Sequence, residues 1–400
     1  MTPRLVIDRC LAYIGFDKVL ILSICGASVH SQSLLTINLP AIVANWRLLN
    51  DTVGDRCCCA SVVKADAYGL GVKPVAQALY AGGCRSFFVA TLNEGVELRE
   101  YLDYKDCEIF VFGGLAYDVV ANGCSSAWLN SRLTPVLFSL DHVVRWECFT
   151  QAVGVLLPCV LKLDTGMHRT GLLADDLDTL LATGAIAKLN LRYLMSHFAC
   201  ADEPSHEMNT RQLTILDSFV EKVQGLSPKC LISVCNSPGI FLPSRPHYDM
   251  VRPGIALYGG NPSGLPESAM KPVVTLLLAV MQVKAIKKGE SVGYGASYIT
   301  QKDRLIAITS GGYADGIARS LSNIGVGYCG SQAVPIIGRV SMDSLVFDIT
   351  HVVGRCDRII LLGECQTIDE LAESAGTIGY EVLTSLGSRF QREYIPFIPD

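Results

Sequence analysis

The sequence is poor in charge, has no long basic run, and contains no unbroken apolar segment of membrane-span length. Only 18% of the residues are Asp, Glu, Lys or Arg, and the formal net charge is −5 with a pI near 5.8. That balance argues against a nucleic-acid partner, whose phosphates require a basic surface. A bilayer core needs about 20 consecutive apolar residues, so a membrane partner is not expected either. The 16 cysteines include no Cys-x-x-Cys pair, and no His/Cys spacing suggests a metal site. Cys57, Cys58 and Cys59 are consecutive, which disfavours mutual bridging, and the scatter reads as small buried hydrophobes in a reducing compartment. A G-x-G-x-x-G loop after the first strand is missing, which leaves an open doubly wound sheet only as the runner-up architecture.

What is present is ample apolar material. Half of the 400 residues are hydrophobic, enough for two domains or one large one with an appendage. Residues 1–33 read as an N-terminal extension outside the fold. Arg4, Arg9 and Lys18 ahead of a short apolar core resemble a weak signal peptide, but Asp8 and Asp17 and the cysteine content weigh against it. A cytoplasmic location is therefore expected, with the periplasm as the alternative. Residues 34–39 look like a strand and 41–49 like a helix. Apolar runs follow at 61–63, 86–90, 108–112, 134–138, 158–163, 191–195, 230–234 and 255–258, separated by stretches of helical period. Strands apolar on both faces and alternating with helices predict a parallel (β/α)8 barrel over residues 34–263. The breaker-rich segment 259–266 marks a boundary. Beyond it, residues 264–400 alternate strand-like runs with turns and predict a mainly β domain. One helix is expected at 367–375, with Thr367 as cap and Glu370 three residues on.

The first of the barrel runs ends at Lys64, followed by Ala65-Asp66-Ala67-Tyr68-Gly69-Leu70-Gly71. The chain is expected to turn there directly into a helix. An amine fixed at a strand end among apolar neighbours suits imine chemistry with an aldehyde cofactor. Polar residues recur at the other strand ends, where barrel active sites form. They are Lys162, Asp164 and Arg169 after strand five, His197 after strand six, Asn236 and Ser237 after strand seven, and Arg252, Gly254 and Ile255 at strand eight. Loops after strands seven and eight commonly bind a phosphate through backbone N–H groups and a hydroxyl. Ser237, Gly254 and Tyr68 fit that task, and a lysine with a phosphate anchor describes pyridoxal 5′-phosphate.

These residues, together with His197-Phe198-Ala199, Gly293-Tyr294-Gly295, Gly312-Tyr313-Ala314-Asp315-Gly316 and Gly338-Arg339-Val340-Ser341-Met342-Asp343, resemble the alanine racemase family in order from about Leu34 to the C-terminus. The resemblance implies an isomerase that interconverts L- and D-alanine with pyridoxal 5′-phosphate, and a homodimer whose subunits complete each other's sites. It implies Lys64 as cofactor lysine and one base, Tyr294 from the other subunit as the opposite base, His197 beside that tyrosine, and Arg252 against the pyridine nitrogen. It places Tyr68, Asn236, Ser237, Gly254 and Ile255 around the cofactor, and Arg169 and the Met342 N–H on the substrate carboxylate. Lys162 matches a lysine that is carbamylated in some members, and Tyr313 and Asp343 match residues near the substrate access corridor. A tyrosine that binds phosphate near the C-terminus of some relatives has no clear counterpart, Ser388 standing in the corresponding region. A serine or broad-specificity racemase is the alternative, a decarboxylase of related architecture a further one, and a non-catalytic pyridoxal-phosphate-binding protein the remote one.

Overall fold

The computed structural model describes residues 33–102, 106–115, 125–262 and 269–399. The barrel strands are β2 (Cys58–Cys59), β3 (Ser61–Val62), β4 (Ser86–Val89), β5 (Glu108–Val111), β6 (Leu133–Leu137), β7 (Pro158–Lys162), β8 (Asn190–Met195), β9 (Leu231–Ser233) and β10 (Met250–Val251). They pair in parallel from β3 through β4 and onward to β10, and β10 closes on β2. β2 and β3 are two halves of one barrel strand interrupted at Ala60, whose N–H still donates to Val251 O at 3.0 Å, an ordinary ladder distance. Full burial along β4 and β6 explains why these runs lack the alternation of a half-exposed strand. Phe88 and Phe110 stack inside the barrel with centroids 4.6 Å apart. Burying each such ring contributes about 1.5–3 kcal/mol.

Helices α1 (Leu39–Val53), α2 (Lys64–Gly69), α3 (Val72–Ala81), α4 (Leu92–Tyr101), α5 (Ser125–Asn130), α6 (Leu140–Val153), α7 (Ala174–Ala182) and α8 (Glu207–Gln224) follow in chain order. Their starts are written locally. Asn38 accepts from Ala41 N at 3.0 Å ahead of α1, and Thr91 and Glu94 form a reciprocal capping box on α4.

One barrel strand differs from the sequence reading. Residues 255–258 form a 3-10 turn, and the eighth strand is β10 instead. Pro253 cannot donate to a ladder, and the chain turns at Gly254 before an apolar segment that is buried without being extended.

The second sheet is built on β11 (Val274–Ile286), a long strand with an irregularity between Val280 and Gln282. Its first part pairs with β1 (Leu34–Asn38) and β18 (Arg358–Leu362); its last part pairs with β14 (Arg304–Ser310), which continues to β17 (Ser344–Asp348). β19 (Gln391–Ile395) runs parallel to β1, and the hairpin β15 (Val326–Cys329) and β16 (Gln332–Pro335) extends the other edge. The strand that opens the described chain therefore pairs within the β domain, not the barrel. Ser33, grouped with the extension by the sequence reading, is buried and donates to Ser310 O at 2.7 Å. The rest of that extension lies outside the described residues.

The expected helix α9 (Ile368–Ala375) carries its Thr367–Glu370 capping box, and a short α10 (Gly379–Ser385) follows. Cys329 and Cys356 form a disulfide, which corrects, for this pair, the reading of the cysteines as small buried hydrophobes in a reducing compartment. The two lie 27 residues apart, a spacing that sequence alone does not single out.

Candidate active site at the barrel mouth

Lys64 leaves β3 at the C-terminal end of the barrel, but no ordinary helix follows. Ala65, Asp66, Ala67 and Tyr68 all take left-handed dihedrals, with φ of 53°, 54°, 53° and 58°. For residues with a Cβ this conformation costs roughly 1–2 kcal/mol each, so the turn has to be held from outside. Gly71 N donates to Asp66 O at 2.9 Å, Val72 N to Asp66 Oδ1 at 2.6 Å, and Ala65 N to Glu94 Oε1 at 2.8 Å. The β domain holds the far end. Arg392 donates to Gly69 O at 2.5 Å and the Tyr394 hydroxyl to Leu70 O at 3.0 Å. The right-handed helix begins only at Val72, which corrects the expectation of a direct strand-to-helix turn.

The Lys64 ammonium lies 5.8 Å from the Phe112 ring centre. Burial, then the Arg169 guanidinium, lower its pKa, while Glu94 acts in the opposite sense. Four more basic groups share this end of the barrel. Lys162 at the end of β7 donates to Thr170 Oγ1 at 2.5 Å, and burial together with Arg169 and Arg252 brings its amine down to about 8. His197 follows β8; burial and the surrounding cations Arg252, Lys162, Arg169 and Lys64 push its pKa well down, so the ring is neutral at pH 7. Arg169 sits exposed on the loop shaped by Asp164, whose carboxylate accepts from Gly166 N at 2.9 Å and His168 N at 3.1 Å.

Arg252 is the buried centre of the cluster, 2% exposed. Its terminal nitrogens donate to Ser233 Oγ, to Ser196 O at 2.7 Å and to His197 Nδ1 at 3.3 Å. Because guanidinium N–H groups can only donate, Nδ1 must accept, and the His197 proton therefore resides on Nε2. Burial draws the Arg252 pKa down to about 10, still protonated at neutral pH. Its Nε is buried and has no hydrogen-bond partner among the described residues. An orphaned charged donor is costly to bury, so this atom is fitted to an acceptor supplied by a bound group.

Ser237 and the Gly254 turn form a second feature. Ser237 Oγ accepts from Gly254 N at 2.9 Å and Ala256 N at 3.2 Å, which commits its lone pairs and leaves the O–H to donate. Asn236 Oδ1 accepts from Gly239 N at 3.1 Å and fixes the turn that presents Ser237. A Cβ at Gly254 would fall on the Tyr68 hydroxyl, so glycine is required for that approach. Burial raises the Tyr68 pKa, which keeps its hydroxyl a donor. Ile255 is buried at the start of the 3-10 turn. Two hydroxyls and the backbone of a turn make a cradle for a phosphate. The orphaned Nε, this cradle and the depressed Lys64 amine together fit pyridoxal 5′-phosphate. Among the described residues, no cluster of His, Cys, Asp or Glu could hold a metal ion.

The structure brings Lys64, Lys162, Arg169, His197 and Arg252 into one electrostatic cluster and joins Tyr68, Ser237 and Gly254 at its edge. It does not bring Tyr294 or Met342 there. Tyr294 is 72% exposed on the turn between β12 (Ser291–Val292) and β13 (Tyr298–Ile299), and Met342 is 51% exposed. Sequence reasoning missed Glu94 and Arg389. Arg389 spans Asp315, at 2.6 and 2.7 Å, and Asp343, at 2.7 Å, and so ties together the two loops that carry Tyr313 and Met342. The Thr91-x-x-Glu94 pattern was a usable signal for the first; nothing local marks the second.

Family models for the N-terminal and C-terminal domains of alanine racemase match residues 37–262 and 273–394. The chain is 44% identical over 369 residues to an alanine racemase of Dinoroseobacter shibae, covering 91% of this chain and 98% of that protein. It is 40% identical over 375 residues to a catabolic alanine racemase of Agrobacterium fabrum, covering 92% and 93%. The alanine racemase of Bartonella henselae, solved with covalently bound pyridoxal phosphate, superposes with a TM-score of 0.85 at 36% identity over 91% of this chain and 99% of that one. The chain belongs to the alanine racemase family.

Proposed function

We propose that this enzyme interconverts L- and D-alanine with pyridoxal 5′-phosphate at the barrel mouth, and that two subunits complete each other's sites. The observation that carries the reading is Arg252, buried, protonated and holding an unpartnered Nε at the barrel end that carries Lys64. When bound, the cofactor supplies an electron sink that acidifies the substrate Cα–H. Lys64 anchors it and moves a proton on one face of Cα. The partner subunit's Tyr294 moves a proton on the other face, since inversion needs an acceptor and a donor on opposite sides. His197, neutral and carrying its proton on Nε2, donates to the tyrosine oxygen and favours its ionised form. Arg252 donates Nε–H to the ring nitrogen and keeps its own proton. Arg252 would thereby leave the ring nitrogen unprotonated, so that Lys64 and the partner subunit's Tyr294 return the proton to Cα. An acidic residue there would favour transfer of the amino group.

Ser237 and Tyr68 through their hydroxyls and Ile255 through its backbone N–H hold the phosphate, with Asn236 shaping the turn and Gly254 admitting the Tyr68 hydroxyl. Arg169 grips the substrate carboxylate through its planar fork, and the partner subunit's Met342 N–H shares that task. Exposure of Tyr294, Tyr313 and Met342 supports the shared site, because residues assigned to the site or its approach lie on the surface of the single chain, open to a partner. We assign the barrel to residues 34–263, apart from β1, and the β domain to 264–400, and place the homodimer in the cytoplasm. No described helix is long and apolar enough to cross a membrane.

The test is incubation of the purified protein with pyridoxal 5′-phosphate and L-alanine in deuterated water. D-Alanine carrying deuterium at Cα is the expected product; bound cofactor without Cα exchange would overturn the assignment. Gly254→Ala drives a methyl onto the Tyr68 hydroxyl. An overpacking cost of about 1–3 kcal/mol should weaken cofactor affinity roughly ten- to a hundredfold, read by titration of the apoenzyme. Unchanged affinity would remove the phosphate cradle from Gly254.

Lys162, with its amine near 8 and surrounded by Arg169, Arg252 and Lys64, is the proposed carbamylation site. Its neutral nitrogen attacks carbon dioxide, the N–C bond forms and a proton leaves to solvent. The resulting anion offsets the cations and orients Arg169. Because only the free amine reacts, labelling with 13C-bicarbonate should strengthen as pH rises through about 8. A carbamate 13C signal absent from Lys162→Arg is expected; no such signal in the unmodified enzyme would contradict the proposal.

A further inference from the structure

Glu94 stands outside the residues assigned above, yet it joins the lysine turn to the barrel. It lies on the first turn of α4, and its two carboxylate oxygens serve different partners. Oε2 accepts from Ala90 N at 2.6 Å and Thr91 N at 3.2 Å, closing the helix cap. Oε1 crosses to Ala65 N at 2.8 Å, the residue directly after Lys64 and the first of the four left-handed residues. A helix cap needs only the first set of contacts. The second fastens the strained turn to the neighbouring strand-to-helix corner, and the lysine is thereby fixed in direction as well as in position.

We propose that Glu94 is a positioning residue of the racemase, its carboxylate holding the Ala65 N–H so that the left-handed turn presents Lys64 toward the reacting carbon. The proposal rests on Lys64 being the cofactor lysine. Charge supports it independently of that geometry. The groups that act on Lys64 or are acted on by it are Arg169 from the β7 loop, Lys162 from β7, His197 from β8 and Glu94 from α4, and Glu94 is the carboxylate among them. It opposes the cations that would strip the lysine nitrogen of its proton.

Glu94→Gln retains the size of the side chain but removes the charge. An amide also cannot accept on both sides, because its NH2 would face an N–H donor. In the holoenzyme, kcat should fall about ten- to a hundredfold through misorientation of Lys64, with KM changed much less. The pH titration of the cofactor absorbance band should move to lower pH, by about one pH unit. Thr91→Ala removes the other half of the cap and leaves the Ala65 contact. It should lower thermal stability without moving the titration. A Glu94→Gln enzyme that loses only stability, with kcat and titration as in the unmodified enzyme, would show Glu94 to be a helix cap alone and overturn the proposal.

Hydrogen exchange on the unmodified protein reads the same contact without any substitution. Protection of the Ala65 amide is expected in the presence and absence of the cofactor, and rapid exchange at Ala65 would overturn the proposal even if Glu94→Gln fails to fold. Failure of the Lys64 assignment looks different: no cofactor band forms, while the Ala65 protection remains.

Discussion

Lys64→Ala should leave a folded protein whose racemase activity is reduced by about 10⁴-fold or more, the loss expected when a positioned proton carrier is removed. The variant also loses the covalent anchor for the cofactor, so the two effects compound. Thermal stability should hold, because the ammonium is partly buried beside Arg169 and its removal relieves that repulsion. Added methylamine should restore a fraction of the activity by supplying a free amine in the vacated space. The sign of the pH dependence also follows. A lowered Lys64 pKa leaves more of the amine unprotonated and ready to act at a given pH. The rising limb that reports a lysine base therefore lies below the ordinary lysine range. The measurements are D-alanine formation, its pH profile and the melting temperature. Activity within tenfold of the parent enzyme would remove Lys64 from the chemistry.

Tyr294→Phe should lower kcat/KM for racemisation by roughly 10²- to 10⁴-fold while cofactor binding persists. Because the two enantiomers have equal free energies, the loss in kcat/KM must be the same in both directions. Rates of racemisation alone cannot say which base was removed. Exchange of the Cα proton with solvent can. With Lys64 intact, one enantiomer should still exchange its Cα proton without inversion and the other should lose that exchange; our assignment has the Cα proton of L-alanine face Tyr294, so D-alanine is expected to be the one that still exchanges. Loss of cofactor from the variant would contradict the assigned role, as would symmetric exchange from both enantiomers. The turn around residue 294 should tolerate the change: the side chain is 72% exposed, and the positive φ values at Gly293 and Gly295 set the turn, not the phenol.

Much of the fold and of the site is legible in the amino-acid sequence. Runs such as 86–90 and 108–112 are apolar on both faces, which is the signature of a parallel barrel strand, and they formed β4 and β5. The residues at the strand ends, Lys64, Lys162, His197, Ser237 and Arg252, are visible because each puts a charge or a hydroxyl where an apolar run stops. Residues 255–258 misled for the opposite reason. They are apolar and buried, and burial does not distinguish an extended strand from a 3-10 turn when the preceding Pro253-Gly254 has already broken the ladder. The left-handed turn was not legible at all. Ala65, Ala67 and Tyr68 carry no preference for positive φ, one Asp does not announce a run of four, and the conformation exists because Glu94, Arg392 and Tyr394, remote in sequence, hold it. The pairing of β1 with β19 and the Cys329–Cys356 disulfide are also long-range facts with no local sequence signal.

The central claim is that Lys64 of one subunit works with the partner subunit's Tyr294. Mixing Lys64→Ala and Tyr294→Phe subunits tests it most directly. Each homodimer is expected to be inactive. A mixed dimer has one site in which an intact lysine meets an intact tyrosine from the other chain, and one site that lacks both. Purified mixed dimers, separated by two different affinity tags, should therefore show about half the racemase activity of the parent dimer, one restored site of two. Mixed dimers as inactive as either parent variant would place both groups on the same chain and contradict the account.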